Sequence, residues 1–288
     1  MPEPMSSFTG RLAVVTGGGT GMGRELVRQL AADGCQVAMC DVNADNMAET
    51  ASLVADAGAS VTVSSHLCDV SDEAQVLAFR DAVAEAHDTD HIDLLFNNAG
   101  IGGAGSMLDD DREQWERTFD ICWGGVYLCC RAFFPMLERS TRGAVVNTSS
   151  VNGFWASVGP ESPHTAYSAA KFAVKGFTEA LIADFRVNAP HLSAHVVMPG
   201  HIGTSISINS AEAHGGVNAA TARKRMAQRG LDADQFSDAE IEALVAELGR
   251  QFRDDAPTDA AAAATVILDG VRSGQWRILV GDDAHAGH

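Results

Sequence analysis

Hydrophobic residues along the first 200 positions of the chain follow two alternating periods. Short apolar runs that end in glycine or polar residues alternate with longer segments in which apolar residues recur every three to four positions. The short runs are typical of buried strands and the longer segments of amphipathic helices. The predicted strands are Arg11–Thr16, Gln36–Asp41, Ser60–Ser65, Ile92–Phe96, Ala144–Thr148 and Ser193–Met198. The predicted helices are Met22–Asp33, Ala44–Ala57, Ser71–Ala86, Arg112–Glu138 and Ala166–Val187.

The regular alternation of strand and helix decides the fold class. Strands that are apolar along most of their length are typical of a parallel sheet that is covered on both faces. Because the crossover connections of parallel strands are right-handed, helices can cover the two faces of such a sheet in turn. The sequence therefore predicts an α/β fold, a Rossmann-like doubly wound parallel sheet in three layers.

The pattern changes after Gly200. Between residues 205 and 256 no strand is predicted, and helical periodicity is found at 219–228 and 238–252. Because no second core is indicated, we expect a single domain. The chain is completed by a predicted helix and a predicted strand, Pro257–Val271 and Trp276–Val280.

Two parts of this single domain, residues 1–288, are expected to differ from the rest. The insertion at 205–256 follows the sixth predicted strand, so we expect it to form a helical lid over the substrate. The last residues, 281–288, carry no hydrophobic pattern and are expected to form a flexible tail.

Composition and charge exclude several classes of function. The chain has 288 residues, 46% of them hydrophobic, and its 20 Lys and Arg against 38 Asp and Glu give a formal net charge of −18. This charge argues against nucleic acid or an anionic membrane as a partner. No apolar run reaches the roughly 18 residues of a membrane span, and the first residues show no secretory signal. We therefore expect a cytoplasmic protein with a small-molecule partner, reduced cysteines and no metal site.

A glycine-rich segment, Thr16–Gly23, follows the first predicted strand and opens the first predicted helix. Glycines let the backbone turn sharply and approach a diphosphate, whose charge the helix N-terminus stabilises. No Gly-Lys-Ser/Thr follows, so the segment is not a P-loop. We assign dinucleotide binding to this loop. The residues expected to contact the cofactor are Gly17, Thr20, Gly21, Met22 and Gly23.

Asp41 ends the second predicted strand, 20 positions after Gly21. A carboxylate at this place accepts hydrogen bonds from the ribose hydroxyls of NAD and repels the 2′-phosphate of NADP. The next residue, Val42, offers no positive charge to that phosphate. The sequence therefore favours NAD over NADP as the cofactor. The alternative is that Asp41 only caps the next helix.

Four motifs occur in a characteristic order at the ends of predicted strands. They are Thr16-Gly-x-x-x-Gly21-x-Gly23, Asn97-Asn98-Ala99-Gly100, Ser150 after the fifth strand, and Tyr167-x-x-x-Lys171. Together they resemble the short-chain dehydrogenase/reductase family over residues 8–204, and more loosely over 257–280. The resemblance implies an oxidoreductase that uses a nicotinamide cofactor.

The chemistry of Tyr167 and Lys171 can be argued from the residues alone. Because they are four positions apart on a helix, their side chains share a face, and a neighbouring ammonium stabilises tyrosinate. Tyr167 can then take the proton of an alcohol during oxidation or return it to a ketone during reduction. Ser150 is expected to hydrogen-bond the substrate oxygen, with Ser149 as its nearest rival. Without the other motifs, an ordinary amphipathic pair would be the simpler interpretation.

The resemblance also implies roles that spacing alone does not show. Lys171 would bond the nicotinamide ribose beside Tyr167, and Asp69 with Val70 would contact the adenine. After the sixth strand, the backbone of Ile202 and the hydroxyl of Thr204 would meet the carboxamide. The remaining implied cofactor residues are Asn98, Ala99, Gly100, Pro199 and Gly200.

One departure from the family pattern lies in the long predicted helix. Cys122 stands where the family usually has an asparagine that helps to hold a water, and this water passes protons to the lysine. A thiol is a weak donor and a poor acceptor. We therefore expect a slower proton step, although a main-chain carbonyl could still hold the water.

A second departure is the length of the segment between Ser150 and Tyr167, which spans 17 positions. We expect this segment to border the substrate. Its aromatic residues then suggest an apolar wall, and its polar residues a contact to a polar substituent. The aromatic residues are Phe154 and Trp155, and the polar ones are Glu161 and His164.

The sequence thus predicts an enzyme that transfers a hydride between NAD(H) and a secondary alcohol or ketone. The alternative is a nucleotide-binding sensor or partner protein of the same fold with weak or no turnover, which only Cys122 favours. The helices at 112–138 and 166–187 resemble those that family members pair across two-fold axes. We therefore expect a homo-oligomer, either a dimer or a tetramer.

Overall fold

A seven-stranded parallel sheet forms the centre of the computed structural model. The structure describes residues 5–103, 105–156, 163–217, 219–228, 230–233 and 235–285. The strands are β1 (Leu12–Thr16), β2 (Gln36–Asp41), β3 (Val63–Leu67), β4 (Leu94–Asn97), β5 (Gly143–Thr148), β6 (Leu192–Pro199), β7 (Ile202–Gly203), β8 (Thr258–Asp259) and β9 (Arg277–Val280). The sheet has the order β3-β2-β1-β4-β5-β6-β9, and β7 pairs with β8 separately.

Helices cover both faces of this sheet. They are α1 (Gly21–Ala32), α2 (Ala44–Asp56), α3 (Glu73–Ala86), α4 (Arg112–Phe119), α5 (Gly125–Leu137), α6 (Thr165–Asn188), α7 (Ile206–Ala213), α8 (Ala219–Gln228), α9 (Asp238–Asp254), α10 (Ala260–Arg272) and α11 (Asp282–His285). Strands β2 and β3 lie on one side of β1 in the sheet, and β4, β5, β6 and β9 lie on its other side. The order of the strands therefore reverses between β1 and β4.

Two hydrophobic cores lie on opposite faces of the sheet. Alternate residues of β1 contribute to them, because side chains along a strand point to opposite faces. Val14 belongs to the core that contains Phe133 of α5, and Val15 belongs to the core that contains Leu26 of α1. This arrangement confirms the predicted doubly wound, three-layered α/β fold.

The third strand begins later than its sequence suggests. It was predicted at Ser60–Ser65, whereas β3 spans Val63–Leu67. Its register is set by the neighbouring strand, since Val63 pairs with Val37 and Leu67 pairs with Asp41. An edge strand of polar and half-buried residues has little hydrophobic pattern of its own, so its partner decides where it starts.

The long helix predicted at Arg112–Glu138 is interrupted. A π-helical turn, Asp120–Gly124, separates α4 from α5. The next residue, Gly125, packs closely on Val70: a Cβ built on this glycine would lie 2.6 Å from Val70 Cγ2.

Three helices occupy the segment that was expected to form a lid. α8 and α9 lie close to the predicted positions 219–228 and 238–252. The preceding helix α7 was not predicted. Its apolar residues Ile206 and Ile208 are only two positions apart, a spacing that does not define one face of a helix.

The end of the chain is more ordered than expected. After β9, the short helix α11 folds back, and Ala284 is completely buried. The Asp283 carboxylate accepts a hydrogen bond from the backbone N–H of His201 over 2.6 Å. Residues 282–285, part of the expected flexible tail, therefore form a short packed helix in the structure, and residues 286–288 lie outside the described part of the chain.

The six cysteine thiols are all buried and make no disulfide bond: Cys35, Cys40, Cys68, Cys122, Cys129 and Cys130. Burial raises the pKa of Cys35 to about 12. Among the described residues, no three His, Cys, Asp or Glu side chains are grouped so that they could hold a metal ion. None of the helices in the described ranges has the length and apolar character required to cross a membrane.

Candidate active site

A cleft opens at the carboxyl ends of β1, β2 and β4, where the strand order reverses. Open α/β sheets bind ligands at this switch point. The predicted cofactor residues that line the cleft are Gly17, Thr20, Gly21, Met22, Asp41, Asp69, Val70, Asn98, Ala99, Gly100 and Thr204. The other lining residues are Val42, Cys68, Ile101, Arg117, Ile121, Ile206, Asn209 and Ala213.

The N-terminus of α1 is open toward this cleft. Its N-cap residue, Thr20, makes no side-chain hydrogen bond to the helix, and the first turn contains no acidic residue. Gly23 allows α1 to lie against the loop, because a Cβ at this position would be 1.9 Å from the carbonyl oxygen of Gly17. The free N–H groups and the positive end of the helix dipole are therefore available to an anion.

Asp41 is held at the end of β2 by backbone groups. Its Oδ2 accepts a hydrogen bond from the N–H of Gly19 over 3.0 Å, and its Oδ1 accepts one from Asn43 over 3.1 Å. The N-cap of α2 is Asn43, whose own side chain accepts from the N–H of Asn46. Asp41 is thus not the cap of the next helix, and the alternative interpretation of this residue is wrong.

Asp69 is fixed by a second set of contacts. One carboxylate oxygen accepts from the hydroxyl of Ser71 over 2.6 Å, and the other accepts from Arg117 of α4 over 2.7 Å. Burial disfavours the charged carboxylate, but the hydrogen bonds from Ser71 and Arg117 outweigh it, so the pKa of Asp69 lies below its usual range. Asp69 is therefore a permanent negative charge at the rim of the cleft.

Asn98 ties the end of β4 to the glycine-rich loop. Its Nδ2 donates to the carbonyl oxygen of Thr16 over 3.1 Å, and the hydroxyl of Thr16 accepts from the backbone N–H groups of Asn98 and Ala99. The Oδ1 atom of Asn98 is buried and has no partner in the described structure. Because Asn98 lines the cleft, this oxygen can accept a hydrogen bond from a bound ligand.

Two neighbouring serines follow β5 and differ in their contacts. Ser149 donates its hydroxyl proton to the carbonyl oxygen of Lys171 over 2.7 Å. Ser150 is the N-cap of a short 3₁₀ turn, where its Oγ accepts from the N–H of Asn152 over 3.1 Å. The hydroxyl of Ser149 is thus committed to α6, whereas Ser150 retains its proton for another acceptor.

Tyr167 and Lys171 lie in the first two turns of α6. The Lys171 side chain is buried, and its Nζ donates to the carbonyl oxygen of Thr148 at the end of β5 over 2.9 Å. The same Nζ lies 5.3 Å from the centre of the Tyr167 ring. α6 therefore places the phenol, the ammonium and the end of the strand that precedes Ser150 in one region.

Cys122 lies beside the same region. Its thiol is completely buried and donates to the carbonyl oxygen of Ile101 over 3.1 Å. A Cβ built on Gly100 would lie 3.5 Å from Lys171 Nζ and 3.7 Å from Cys122 Sγ. The thiol thus packs next to the lysine and is already engaged by a backbone carbonyl.

Six predicted cofactor residues do not line the cleft: Gly23, Tyr167, Lys171, Pro199, Gly200 and Ile202. The last three lie at the end of β6 and beyond it. Pro199 is buried at the end of β6, where it pairs with Val280 of β9. Gly200 faces the C-terminal helix, because a Cβ there would lie 2.2 Å from a carboxylate oxygen of Asp283. The side chain of Ile202 belongs to the hydrophobic core. These residues shape the chain that leads to Thr204, which does reach the cleft.

The segment after Ser150 was expected to border the substrate, and its two described aromatic residues, Phe154 and Trp155, are not among the residues that line the cleft. The Phe154 ring lies 5.8 Å from Lys175 Nζ and 5.6 Å from the guanidinium carbon of Arg277, so it packs between α6 and β9. Trp155 contacts it edge to face. His164 is the residue before α6, and Glu161 lies outside the described residues.

The sequence did not indicate that Arg117 and Asn209 line the cleft. Arg117 reaches Asp69 across 48 positions of the chain, and Asn209 reaches Thr20 across 189 positions. Neither residue belongs to a motif, and both contacts form only when distant elements pack. No signal in a single sequence would have identified them.

Comparisons with known proteins agree with this geometry. Residues 11–215 match the family model described as short chain dehydrogenase. SadH of Mycobacterium tuberculosis, which is named as an oxidoreductase, is 36% identical over 282 residues that cover 98% of this chain and 90% of that protein. Levodione reductase of Leifsonia aquatica is 31% identical over 275 residues, which cover 95% of this chain and 98% of that protein.

A solved structure extends the agreement to three dimensions. A short-chain dehydrogenase/reductase from Burkholderia phymatum, crystallised in complex with NAD, matches with a TM-score of 0.78 at 28% identity over 97% of this chain and 92% of that one. The residues that match the family model, 11–215, include the cleft, the glycine-rich loop and α6. The chain therefore belongs to the short-chain dehydrogenase/reductase family.

Proposed function

We propose that this protein is an NAD-dependent dehydrogenase that interconverts secondary alcohols and ketones. The observation that carries the proposal is the buried ammonium of Lys171 beside the ring of Tyr167, next to a cleft that suits a dinucleotide. A phenol next to a fixed positive charge is suited to exchange a proton with a substrate oxygen. The family contributes the coarser statement that the chain is an oxidoreductase.

The cleft fits a dinucleotide on three structural grounds. The end of α1 offers uncapped N–H groups to a diphosphate. Gly17 and Gly23 let the glycine-rich loop pack closely on Ala99 and on α1, because a Cβ at either position would collide with backbone atoms. The orphaned Oδ1 of Asn98 provides a buried acceptor in the lining. We infer that the residues lining the cleft bind a nicotinamide cofactor.

NAD is favoured over NADP because of Asp41. Its carboxylate is fixed by Gly19 and Asn43 at the end of β2, in the lining of the cleft. A ribose that binds there meets a hydrogen-bond acceptor, whereas a 2′-phosphate meets a like charge. The neighbour Val42 is exposed and uncharged. The relative from Burkholderia phymatum was crystallised with NAD, which supports the same choice.

The proposed mechanism assigns one task to each side chain. The cofactor, when bound, accepts the hydride from an alcohol or donates it to a ketone. Tyr167 Oη takes up the hydroxyl proton during oxidation and returns it during reduction. Lys171 stabilises the tyrosinate and has further N–H groups beyond the one given to Thr148, so it can also bond the nicotinamide ribose. Ser150 donates to the substrate oxygen and orients it toward Tyr167.

We further infer that the chain acts as a single domain with a helical lid. Residues 205–256 contain α7, α8 and α9, and α7 reaches the lining of the cleft through Ile206, Asn209 and Ala213. Closure of such a segment excludes water from the substrate. α5 and α6 expose Tyr127 and Phe172, which supports pairing of these helices in a homo-oligomer.

Titration calorimetry with NAD and with NADP tests the cofactor assignment. Tight binding of NAD and feeble binding of NADP are expected for the parent protein. Asp41→Asn removes the charge that repels the 2′-phosphate. The dissociation constant of NADP divided by that of NAD should therefore fall by about tenfold. Asp45→Asn, an exposed change in the first turn of α2, is the matched control and should leave the ratio unchanged.

Two outcomes of this titration would contradict the proposal. A preference for NADP in the parent protein would show that Asp41 does not govern the choice. Binding of neither cofactor would remove the basis for the enzyme altogether.

A sensor or partner protein of the same fold is the second candidate, and Cys122 is the observation that favours it. Its thiol takes the place of the family's asparagine and is engaged by Ile101, so it offers little to a proton relay. This candidate predicts NAD binding without turnover across a broad panel of secondary alcohols and ketones. Turnover of any member of the panel that depends on Tyr167 excludes it.

A further inference from the structure

The helix α7 carries an asparagine whose amide reaches the glycine-rich loop. Asn209 Nδ2 donates a hydrogen bond to Thr20 Oγ1 over 3.1 Å. Both residues line the cleft together with Gly21 and Met22. The hydroxyl of Thr20 is therefore engaged by α7 instead of capping its own helix, and the N–H groups of α1 stay open.

Further contacts fix α7 in this position. Ser210 Oγ accepts from the backbone N–H of Gly102 over 2.7 Å, and His214 Nε2 lies 3.1 Å from the carbonyl oxygen of the same glycine. Thr204, just before α7, packs on the loop, since a Cβ built on Gly21 would lie 3.1 Å from its methyl carbon. The position of the Asn209 amide is thus defined by the packing of the helix and not by one hydrogen bond.

The surroundings of this amide suit a diphosphate. The first turn of α1 has no acidic residue and no side-chain cap, so its N–H groups can donate to anionic oxygens. The carboxylates in the lining, Asp41 and Asp69, already accept hydrogen bonds from Gly19 and Arg117. An anion at the N-terminus of α1 would therefore meet the backbone N–H donors of α1 and the side-chain N–H₂ group of Asn209 from α7.

We propose that Asn209 is a ligand of the cofactor's diphosphate, so that the dinucleotide is bound between α1 and α7 and holds the lid closed. The inference rests on the proposed function and adds a ligand from a lid helix to it. Cofactor binding and lid closure then favour each other. The bound diphosphate would restrain Asn209 and so the closed lid, and the contacts of α7 with Gly102 keep Asn209 in place for the diphosphate. In this arrangement the substrate meets a lid that the cofactor has already closed.

Binding measurements on the protein without substrate test the proposal. The probes are ADP-ribose, which contains the diphosphate, and adenosine, which lacks it. Asn209→Asp places a negative charge beside the diphosphate and should weaken ADP-ribose binding by about 10- to 100-fold, while adenosine binding changes by less than about twofold. Ser207→Asp adds the same charge to the exposed side of α7 and should leave both affinities unchanged.

Hydrogen exchange supplies a readout of the lid itself. ADP-ribose should slow the exchange of the α7 backbone amides in the parent protein and in Ser207→Asp, but not in Asn209→Asp at equal saturation. Unchanged ADP-ribose affinity in Asn209→Asp would overturn this inference and leave the proposed function intact. An equal loss of adenosine affinity would overturn it too, because the effect would then come from a displaced lid. Failure of the parent protein to bind ADP-ribose would overturn the proposed function as well.

Discussion

Ser149 and Ser150 show how two adjacent hydroxyls at one strand end differ in their tasks. Ser149 Oγ is bonded to the Lys171 carbonyl and lies in the interior, whereas Ser150 Oγ accepts only from the N–H of Asn152 in the contacts described above. The sequence alone leaves both serines as candidates. Their hydrogen bonds favour Ser150 as the group that meets the substrate.

Alanine variants of the two serines should separate these tasks. Ser150→Ala removes a donor to the reacting oxygen and should lower kcat by about 10²–10³-fold. Ser149→Ala should cost about 1 kcal/mol of unfolding free energy and leave kcat near that of the parent. Steady-state kinetics and chemical denaturation measure the two effects. A larger loss of kcat in Ser149→Ala would reverse the assignment.

At the residue scale, a single sequence indicates candidate residues where the pattern that marks them is local. The glycine-rich loop, Asp41 and the Tyr167–Lys171 pair were predicted because each depends on spacing within one strand–loop–helix unit. The roles of Arg117 and Asn209 could not be predicted, since each acts through a partner that only the folded chain brings near. The chemistry assigned to Ser150, Tyr167 and Lys171 stays a prediction.

Secondary-structure elements are positioned by a few close approaches between helices and strands. α10 crosses β9 at Gly270, where a Cβ would lie 2.6 Å from Ile278 Cγ1. Ile278 is buried, and its side chain has little room to move. The absence of a side chain at residue 270 therefore sets the distance between α10 and the last strand of the sheet.

Replacing Gly270 by alanine should destabilise the fold. Overpacking costs about 1–3 kcal/mol, which exceeds the gain of about 1 kcal/mol in helix propensity. Chemical denaturation should therefore show a lower free energy of unfolding. Ile278→Ala in the same chain removes Cγ1, Cδ1 and Cγ2, the three carbons that crowd the new Cβ, so Gly270→Ala should cost less unfolding free energy in that background than in the parent protein. Strict additivity of the two changes would contradict this packing.

The sequence predicted helices and strands well where the hydrophobic period was clear. It predicted them poorly where packing against distant elements decides where an element begins or ends. β1, β2, α1 and α3 appear close to their predicted positions. The start of β3 follows its neighbour's register, and the π turn at Asp120–Gly124 follows the approach of α5 to Val70. α7 is stabilised by Gly102 and Thr20, which are far from it in sequence. These are tertiary effects that a local pattern does not contain.

At the scale of the whole molecule, one buried and two half-buried histidines couple the stability of the fold to pH. His195 is buried between Ser193 and the carbonyl oxygen of Gln275. His66 and His87 share the hydroxyl of Ser64 at the edge of the sheet. Burial lowers the pKa of all three histidines from the usual 6.5, and the neighbouring His66 adds to the effect on His87.

The unfolding free energy should fall as the pH is lowered from about 7 to about 5. Unfolded histidines take up protons near pH 6.5, whereas the folded ones resist protonation, so the stability they contribute is full above 6.5 and is lost as the pH falls through their folded-state pKa values. The pKa of Asp69 is lowered, so this residue changes the unfolding free energy only at more acidic pH.

Denaturation curves across this range test the assignment. The double variant His66→Gln and His87→Gln should show a weaker pH dependence than the parent protein. His285→Gln, at an exposed histidine of α11, is the control and should keep the parent's slope. Equal stability of the parent protein at both ends of the range would contradict the account.

The central claim is that Tyr167 exchanges the proton while the cleft binds the cofactor independently of it. The most direct measurement is kcat of Tyr167→Phe with NAD and a secondary alcohol that the parent protein oxidises, together with the NAD dissociation constant by calorimetry. We predict that kcat falls by about 10²–10⁴-fold, while the dissociation constant stays within about twofold. Unchanged kcat in this variant would contradict the mechanism.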